Sequence, residues 1–256
     1  MQSFETIEYT VTAGIATLTF NRPDQLNAMN RRMMDEIIAA LQAIIQDKHI
    51  DVAVITGKGR AFMAGADIKE YAAQTNDQFV RFQRQGRQLY SLIETAEIPF
   101  IAAVNGYALG GGFEIALACD FIVAAVSASM GLPEIHLGLI PGGGGAQRLL
   151  QKVGVNRTKE MLLLGGSYPA AQLHHWGIVY DTPAGEDLPA TVLALAQKLQ
   201  RRPRISTKAI KAMLTPAAIG LPFETRLDQE GEAVIELFNH PVAQDLIKKF
   251  TEKNSK

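Results

Sequence analysis

The sequence predicts an α/β fold over most of its length, followed by a C-terminal helical region. Short continuous apolar runs, such as residues 52–56 and 99–104, are typical of parallel strands that are covered on both faces. These runs alternate with amphipathic helical patterns, which makes strand–helix–strand crossovers. After residue 188 only helical patterns remain, and prolines separate them. We therefore predict an α/β core over residues 1–190 and a helical region over residues 191–256.

Composition describes an ordinary soluble protein whose partners are small molecules. The 256 residues are 47% apolar and 20% charged, with a formal net charge of −1, so no field of one sign recruits nucleic acid or acidic lipid. The single cysteine, Cys119, excludes an intramolecular disulfide, and its apolar neighbours predict a buried thiol. Residues 1–5 lack the features of a leader, and no apolar run reaches the ~18 residues of a membrane span. We predict a cytoplasmic protein without a membrane segment.

The first elements follow from periodicity. Residues 5–20 alternate around a turn at residues 12–14, which predicts a hairpin or a pair of edge strands. Apolar residues then recur at spacings of three and four up to about Lys48, which predicts a helix capped by Asn30. The buried strand over residues 52–56 completes a crossover unit.

The middle of the chain alternates between strands and helices. The pattern predicts in order a loop from Gly57 to Gly65, a short helix from about Ala66, a helix capped by Asp77 and ending near Ala96, a strand over 99–104, a short helix over 114–118 and a strand over 121–125.

Helical patterns dominate after Gly145. The pattern predicts helices over 147–153, over 156–164 with an Asn156 cap and over 169–176 with a Ser167 cap, a strand over 177–181, and three or four helices from 188 to 250 broken at Pro203, Pro216, Pro222 and Pro241.

One stretch, residues 105–145, concentrates the chemistry. It contains the glycine runs 110–112 and 142–145, and bare backbone before a helix start suits an oxyanion or a phosphate, although a tight turn is the simpler explanation of either run. A dinucleotide fingerprint would need a third glycine at Ile115. A phosphate-binding loop would need Lys-Ser or Lys-Thr after the glycines, and a nucleophile elbow would need a serine between them. The sequence meets none of these requirements, so a dinucleotide site, a phosphate-binding loop and a nucleophile elbow are all excluded.

Two glutamates frame these turns. Glu114 lies between Phe113 and Ile115, and Glu134 follows Pro133. Burial in apolar surroundings raises the pKa of a carboxyl group and suits it to general acid or base catalysis. The alternative is that each carboxylate reaches solvent or caps a turn.

Two other features favour structural explanations. His136 has no other ligand type at metal-binding spacing, so we predict a surface or packing role and no metal site. The basic run over residues 198–211 has the pattern of a solvated helix face, with nucleic-acid binding as the alternative.

Several motifs in one order resemble the crotonase superfamily, and within it the enoyl-CoA hydratases. They are residues 64–69 (Ala-Gly-Ala-Asp-Ile-Lys), 105–114, 131–134 (Gly-Leu-Pro-Glu) and 141–149, and the resemblance extends from residue 20 to the last helix. It implies a crotonase-like core, a spiral of repeated strand–strand–helix (ββα) units. It also implies that the C-terminal helices mediate assembly into a homotrimer or homohexamer.

The resemblance also implies a catalytic site. Backbone amides at Ala66 and Gly111 match the oxyanion hole that binds the thioester carbonyl, where such donors stabilise developing charge. Glu114 and Glu134 match the two glutamates that hold a water, with Glu114 as base toward the water and Glu134 as donor of a proton to the substrate α-carbon. No metal or redox cofactor is implied, because coenzyme A enters as part of the substrate.

Coenzyme A contacts carry over with less sequence support. The matching positions are the backbone at Gln25 and Leu26, the loop Ala64, Gly65, Ala66, Asp67 and Ile68, the side chain of Lys69, and Phe250 with Lys253 toward a neighbouring subunit. The helix over residues 242–249 lacks the family's glycine-methionine pair. The chain also stops at Asn254-Ser255-Lys256, without the family's following proline and phenylalanine.

The expected activity is syn hydration of a trans-2-enoyl-CoA to a 3-hydroxyacyl-CoA. The alternatives are an enoyl-CoA isomerase, another crotonase-type acyl-CoA hydrolase or lyase, and, more remotely, an RNA-binding member. The acyl pocket is expected to involve four aromatic residues that could equally be core: Tyr71, Phe79, Phe82 and Phe113.

Overall fold

Two β-sheets frame the protein in the computed structural model, which describes residues 4–253. The larger sheet has the order β1 (Ile7–Thr12), β2 (Ile15–Phe20), β3 (Val52–Gly57), β5 (Phe100–Val104) and β7 (Phe121–Ala124). The smaller sheet has the order β4 (Ala61–Ala64), β6 (Tyr107–Leu109), β8 (Ser129–Gly131) and β9 (Ser167–Pro169). Only the pairs β1–β2 and β8–β9 are antiparallel.

Helices connect and cover these sheets. They are α1 (Arg31–Gln46), α2 (Ile68–Ala72), α3 (Asn76–Thr95), α4 (Gly111–Ala118), α5 (Gly145–Leu164), α6 (Ala170–His175), α7 (Leu188–Gln200), α8 (Arg204–Met213), α9 (Pro216–Ile219), α10 (Phe223–Asn239) and α11 (Pro241–Lys253).

The core repeats one unit. A strand of the larger sheet is followed by a strand of the smaller sheet and then by helix, as in β3–β4–α2/α3, β5–β6–α4 and β7–β8–α5. Strands β3, β5 and β7 are almost wholly buried, as expected for parallel strands covered on both faces. The predicted crotonase-like spiral of strand–strand–helix units, with helices at the C-terminus, is confirmed.

The N-terminal predictions are also confirmed. β1 and β2 form an antiparallel hairpin through a turn in which both Ala13 and Gly14 have positive φ. β2 pairs in parallel with β3, and α1 crosses between them. Asn30 caps α1, because its side chain accepts a hydrogen bond from the Met33 amide at 2.9 Å.

Four short strands were not predicted, and one of them is β9, where Ser167 was expected to cap a helix. β4 lies inside the stretch predicted as a loop, and β6 and β8 lie inside the glycine-rich stretch. Each has only three or four residues, too few for a clear alternation. The cap of α3 was also wrong, because Thr75 and Gln78 form a capping box there and Asp77 lies in the first turn.

Further corrections concern the second half. The two predicted helices are confirmed as the halves of α5, which meet at a kink where Gly154 has non-helical backbone angles, but Asn156 lies inside the second half and was wrong as its cap. Ser167 lies in β9, and α6 follows Pro169. Residues 177–181 form a turn with one bridge between Val123 and Asp181 rather than a strand. Residues 188–253 form five helices instead of the predicted three or four, and the predicted proline breaks are confirmed.

The C-terminal helices leave the core progressively. The predicted domain boundary at 190/191 falls within α7, which packs on β3, β5 and β7 of the larger sheet. α8 contacts α3, whereas α10 packs mainly on α8 and α11. None of the helices within residues 4–253 combines the length and apolar character needed to cross a membrane. Predictions that concern residues 1–3 and 254–256 lie outside the described residues.

The basic run of residues 198–211 partly serves packing. Arg204 donates to the backbone carbonyls of Lys48 and Ile50 at 3.1 and 3.2 Å. Lys211 forms an ion pair with Asp120 at 2.5 Å. The predicted solvated face is therefore confirmed only in part: Lys198, Arg201, Arg202 and Lys208 are exposed, whereas Arg204 and Lys211 are partly buried.

Candidate active site

A cavity of about 350 Å³ lies where the first turn of α4 faces α1, α2 and α3. This volume lies within the range of small-molecule sites. Its wall is mostly apolar and is lined by Met29, Met34, Ala64, Gly65, Ala66, Ile68, Tyr71, Phe82, Gln83, Gly86, Tyr90, Leu109, Gly110, Gly111, Glu114, Pro133, Glu134, His136, Leu137, Leu139, Gly142 and Gly143. All four residues predicted to be catalytic therefore line one cavity.

Glu114 projects from the first turn of α4 and is only 3% exposed. Its Oε1 accepts hydrogen bonds from the amides of Gly143 and Gly145, both at 2.8 Å. Burial raises the pKa of Glu114 above its usual value, and these two amides oppose the rise. The second glycine run thus serves to hold one oxygen of this carboxylate.

Glu134 begins the 3₁₀ turn Glu134–Leu137, which also lines the cavity. Its Oε1 lies over Gly110, where a Cβ atom would come within 3.0 Å. Its Oε2 is buried and has no hydrogen-bond partner among residues 4–253. Burial, and then the negative charge of Glu114, raise the pKa of Glu134 to about 7. A carboxyl group with this pKa can give or take a proton near neutral pH.

Two backbone amides face the same cavity. Ala66 bridges in parallel to Met29, which uses Gly65 and Asp67 as hydrogen-bond partners and leaves the Ala66 amide on the other side. Gly111 is the first residue of α4, so its amide has no partner within the helix. Within residues 4–253, neither amide donates to another protein group.

The predicted coenzyme A loop is rigidly held at one end of the cavity. The Ala64 amide donates to the carbonyl of Leu26 at 3.0 Å. The side chain of Asp67 caps α2 and pairs with Arg22 at 2.9 Å, and this contact with Arg22 lowers its pKa. Gln25 ends the 3₁₀ turn Pro23–Gln25, whereas Ile68 and Lys69 are exposed. Of the predicted positions, Ala64, Gly65, Ala66 and Ile68 line the cavity.

The C-terminal pair is not brought to this cavity within one chain. Phe250 lies on α11 and is 70% exposed, and it is absent from the cavity wall. The side chain of Lys253 lies outside the described part of the chain. Their role toward a neighbouring subunit stays a prediction.

Two of the four aromatic residues predicted for the acyl pocket line the cavity, and two do not. Tyr71 and Phe82 line the cavity, and their rings contact edge to face at 6.0 Å. Phe79 packs behind them on Tyr71 at 5.3 Å. Phe113 was placed wrongly, because it is fully buried in the core. It points away from the cavity since it precedes Glu114 on the same short helix.

Sequence reasoning missed Tyr90 and Arg148. Tyr90 belongs to the buried stripe of α3 with Gly86, Leu89 and Ile93, where an aromatic residue resembles ordinary core. A hydroxyl group on an inward face was the available indication, because a buried tyrosine needs a polar partner.

The prediction of a buried thiol at Cys119 is confirmed, since the residue is buried and burial raises its pKa. Among the described residues, no three His, Cys, Asp or Glu side chains are grouped as metal ligands.

The repeated ββα units and a cavity lined by two carboxyl groups together with the backbone of Ala66 and Gly111 define a protein of the crotonase fold. The chain belongs to the enoyl-CoA hydratase/isomerase family, whose model matches residues 10–256. A 2,3-dehydroadipyl-CoA hydratase of Escherichia coli K12 is 40% identical over 200 residues, 78% of each chain. A short-chain-enoyl-CoA hydratase of Clostridium acetobutylicum is 33% identical and covers 93% of this chain and 92% of its own.

Solved structures agree with this membership. The crystal structure of an enoyl-CoA hydratase from Bacillus anthracis superposes with a TM-score of 0.92 at 32% identity. The match covers 97% of each chain. The similarity therefore includes the C-terminal helices as well as the core.

Proposed function

We propose that this protein adds water to trans-2-enoyl-CoA thioesters to give 3-hydroxyacyl-CoA. The observation that carries the proposal is the meeting of Glu114 and Glu134 in one cavity with the unpaired amides of Ala66 and Gly111. The hydratase names of the relatives support the same activity.

The proposed reaction uses each group once. Glu114, as a carboxylate, accepts a proton from the water while the oxygen of that water bonds to the substrate β-carbon. The electrons of the double bond move to the thioester oxygen, and the amides of Ala66 and Gly111 stabilise the resulting enolate as an oxyanion hole. Glu134, as the acid, delivers a proton to the α-carbon. The hydroxyl oxygen and the new hydrogen come from one side, so addition is syn.

The rest of the assignment follows the family. Coenzyme A is proposed to bind as part of the substrate along Leu26, the loop 64–68 and Lys69, with its acyl chain directed toward the apolar wall at Met34 and Phe82. No metal or redox cofactor is required by the proposed steps. A homotrimer or homohexamer and a cytoplasmic location complete the proposal.

A Glu114→Gln variant tests the chemistry. Glutamine can still accept hydrogen bonds from the Gly143 and Gly145 amides, so the turn is preserved, but it cannot take a proton from water. We expect hydration of a trans-2-enoyl-CoA to fall by roughly 10²–10⁴-fold, the usual contribution of a general base. Affinity for a saturated acyl-CoA, measured by calorimetry, should change little.

The same assay separates the alternatives. Wild-type protein is given a 2-enoyl-CoA and, in parallel, a 3-enoyl-CoA. Hydration of the former as the main reaction is expected, since an isomerase needs a single carboxyl group to move the proton and both are present here. Unchanged turnover in the variant, or isomerisation without hydration in the wild type, would contradict the proposal.

A further inference from the structure

Tyr90 lies against the catalytic carboxylate. Its side chain is 5% exposed and lines the cavity. A Cβ atom at Gly143 would lie 2.1 Å from Cε2 of Tyr90 and 2.7 Å from Oε2 of Glu114, so the ring and this oxygen meet at one point of the wall. A Cβ atom at Gly111 would lie 3.3 Å from the Tyr90 hydroxyl. The ring therefore packs beside Glu114, and its hydroxyl lies next to Gly111 at the start of α4.

The two oxygens of Glu114 differ in their surroundings. Oε1 is occupied by the amides of Gly143 and Gly145. Oε2 is left to the cavity and to Tyr90; burial raises the pKa of Glu114 overall, and the Tyr90 hydroxyl is among the groups that oppose this rise. A proton accepted from water would thus go to Oε2, the oxygen beside Tyr90. Because Oε2 lies against Tyr90, its orientation depends on the residues that fix the Tyr90 ring.

Arg148 fixes the tyrosine ring. Its guanidinium carbon lies 5.4 Å from the centre of the Tyr90 ring. Glu94 holds Arg148 through two hydrogen bonds, at 2.6 and 2.7 Å, and Arg148 also donates to the carbonyl of Gly143. A bidentate pair of this kind sets the orientation of a guanidinium group. Glu94, Arg148 and Tyr90 thus form a continuous contact path to the catalytic carboxylate.

We propose that Tyr90 is a positioning residue for the hydration reaction, which orients Oε2 of Glu114 toward the attacking water. The inference rests on the proposed function. It assigns to the Tyr90 hydroxyl a role that its burial in α3 alone does not require, because phenylalanine would fill the same space.

A Tyr90→Phe variant tests this role. We expect kcat for hydration to fall roughly 10- to 100-fold, about the effect of removing one polar contact to a charged group. KM should change less than about threefold, because the hydroxyl acts through Glu114 and not on substrate binding. The acid limb of the pH profile of kcat/KM should move to higher pH, because removing the hydroxyl raises the pKa of Glu114. Tyr168→Phe, a partly buried tyrosine outside the cavity, is the control and should match the wild type.

A second measurement does not depend on turnover. The protonated carboxyl band of Glu114 can be followed by infrared titration, with the Glu114→Gln variant as the reference spectrum. Its midpoint should be higher in Tyr90→Phe than in the wild type. An inactive wild type with this shift would overturn the proposed function, and would leave supported only the contact between Tyr90 and Glu114. An unmoved midpoint, or a Tyr90→Phe variant with wild-type kcat and pH profile, would overturn the positioning role.

Discussion

At the scale of single residues, Glu134 combines a functional advantage with a cost to stability. Its buried Oε2 lacks a partner among residues 4–253, and burial with the nearby Glu114 raises its pKa to about 7. A group whose pKa is higher in the folded than in the unfolded protein binds more protons when folded. Stability is therefore expected to fall as pH rises from about 4.5 to about 7, where Glu134 ionises in an unfavourable place.

Replacing Glu134 by glutamine should remove this cost. At pH 8 we expect Glu134→Gln to raise the free energy of unfolding by about 1–3 kcal/mol, since one pKa unit corresponds to about 1.4 kcal/mol and partial exposure reduces the gain. At pH 5 the native glutamate is protonated, so the difference should largely vanish. Urea denaturation at both values, at one protein concentration, measures this.

The control for this change is Glu186→Gln, at an exposed glutamate. It should show no gain at either pH. An equal gain for Glu134→Gln at pH 5 and pH 8 would contradict the electrostatic explanation, because a packing effect does not depend on the ionisation of Glu134.

Site residues could be predicted where their sequence neighbours alone mark them as unusual. Glu114 and Glu134 are carboxylates in apolar runs, which the chain alone makes conspicuous. The assignment of Ala66 to the same site came only from the family resemblance, because a backbone amide leaves no trace in the side chains. Tyr90 escaped because its environment depends on Gly143 and Arg148, which are more than fifty residues away. The functional roles of all these residues stay predictions until they are tested.

At the scale of elements, the position of α4 depends on its contact with β4. A Cβ atom at Gly112 would lie 2.1 Å from the Met63 carbonyl oxygen, which belongs to β4. The close approach lets the first turn of α4 place Glu114 and the Gly111 amide at the cavity. Sequence periodicity predicted α4 but not β4, so this contact was invisible, and the glycine run was read only as a turn or an anion site.

Gly112→Ala should therefore damage both stability and activity. The new methyl group meets backbone, which cannot move away as a side chain would, so α4 must shift. We expect a loss of about 1–3 kcal/mol or more, which lowers Tm by several degrees in a domain of this size. Differential scanning calorimetry and the hydration assay measure the two effects.

The matched control is Gly185→Ala. A Cβ atom at Gly185 meets nothing within 4 Å, and its φ is not positive. This variant should keep wild-type Tm and kcat. A Gly112→Ala variant with wild-type Tm would mean that α4 is not held against β4 as closely as the structure indicates.

At the scale of the whole molecule, the C-terminal helices expose an apolar surface that the core does not cover. Ile235 and Phe238 on α10 are 65% and 57% exposed, and Phe250 on α11 is 70% exposed. Exposed apolar surface of this extent usually marks an interface. The sequence predicted the proline breaks between these helices correctly. It could not predict which faces stay open, because that depends on packing between helices and between subunits.

The proposed assembly makes this surface a testable interface. The wild-type protein should sediment with three or six times the chain mass of 27.8 kDa. Phe238→Asp should shift the equilibrium toward smaller species, because a charge buried between subunits without a partner is strongly destabilising. Val126→Asp places the same charge at a site that is 54% exposed outside the helical region, and it should leave the mass unchanged. Sedimentation equilibrium at several concentrations distinguishes these outcomes: a monomeric wild type would contradict the assembly, and an intact Phe238→Asp oligomer would locate the interface elsewhere.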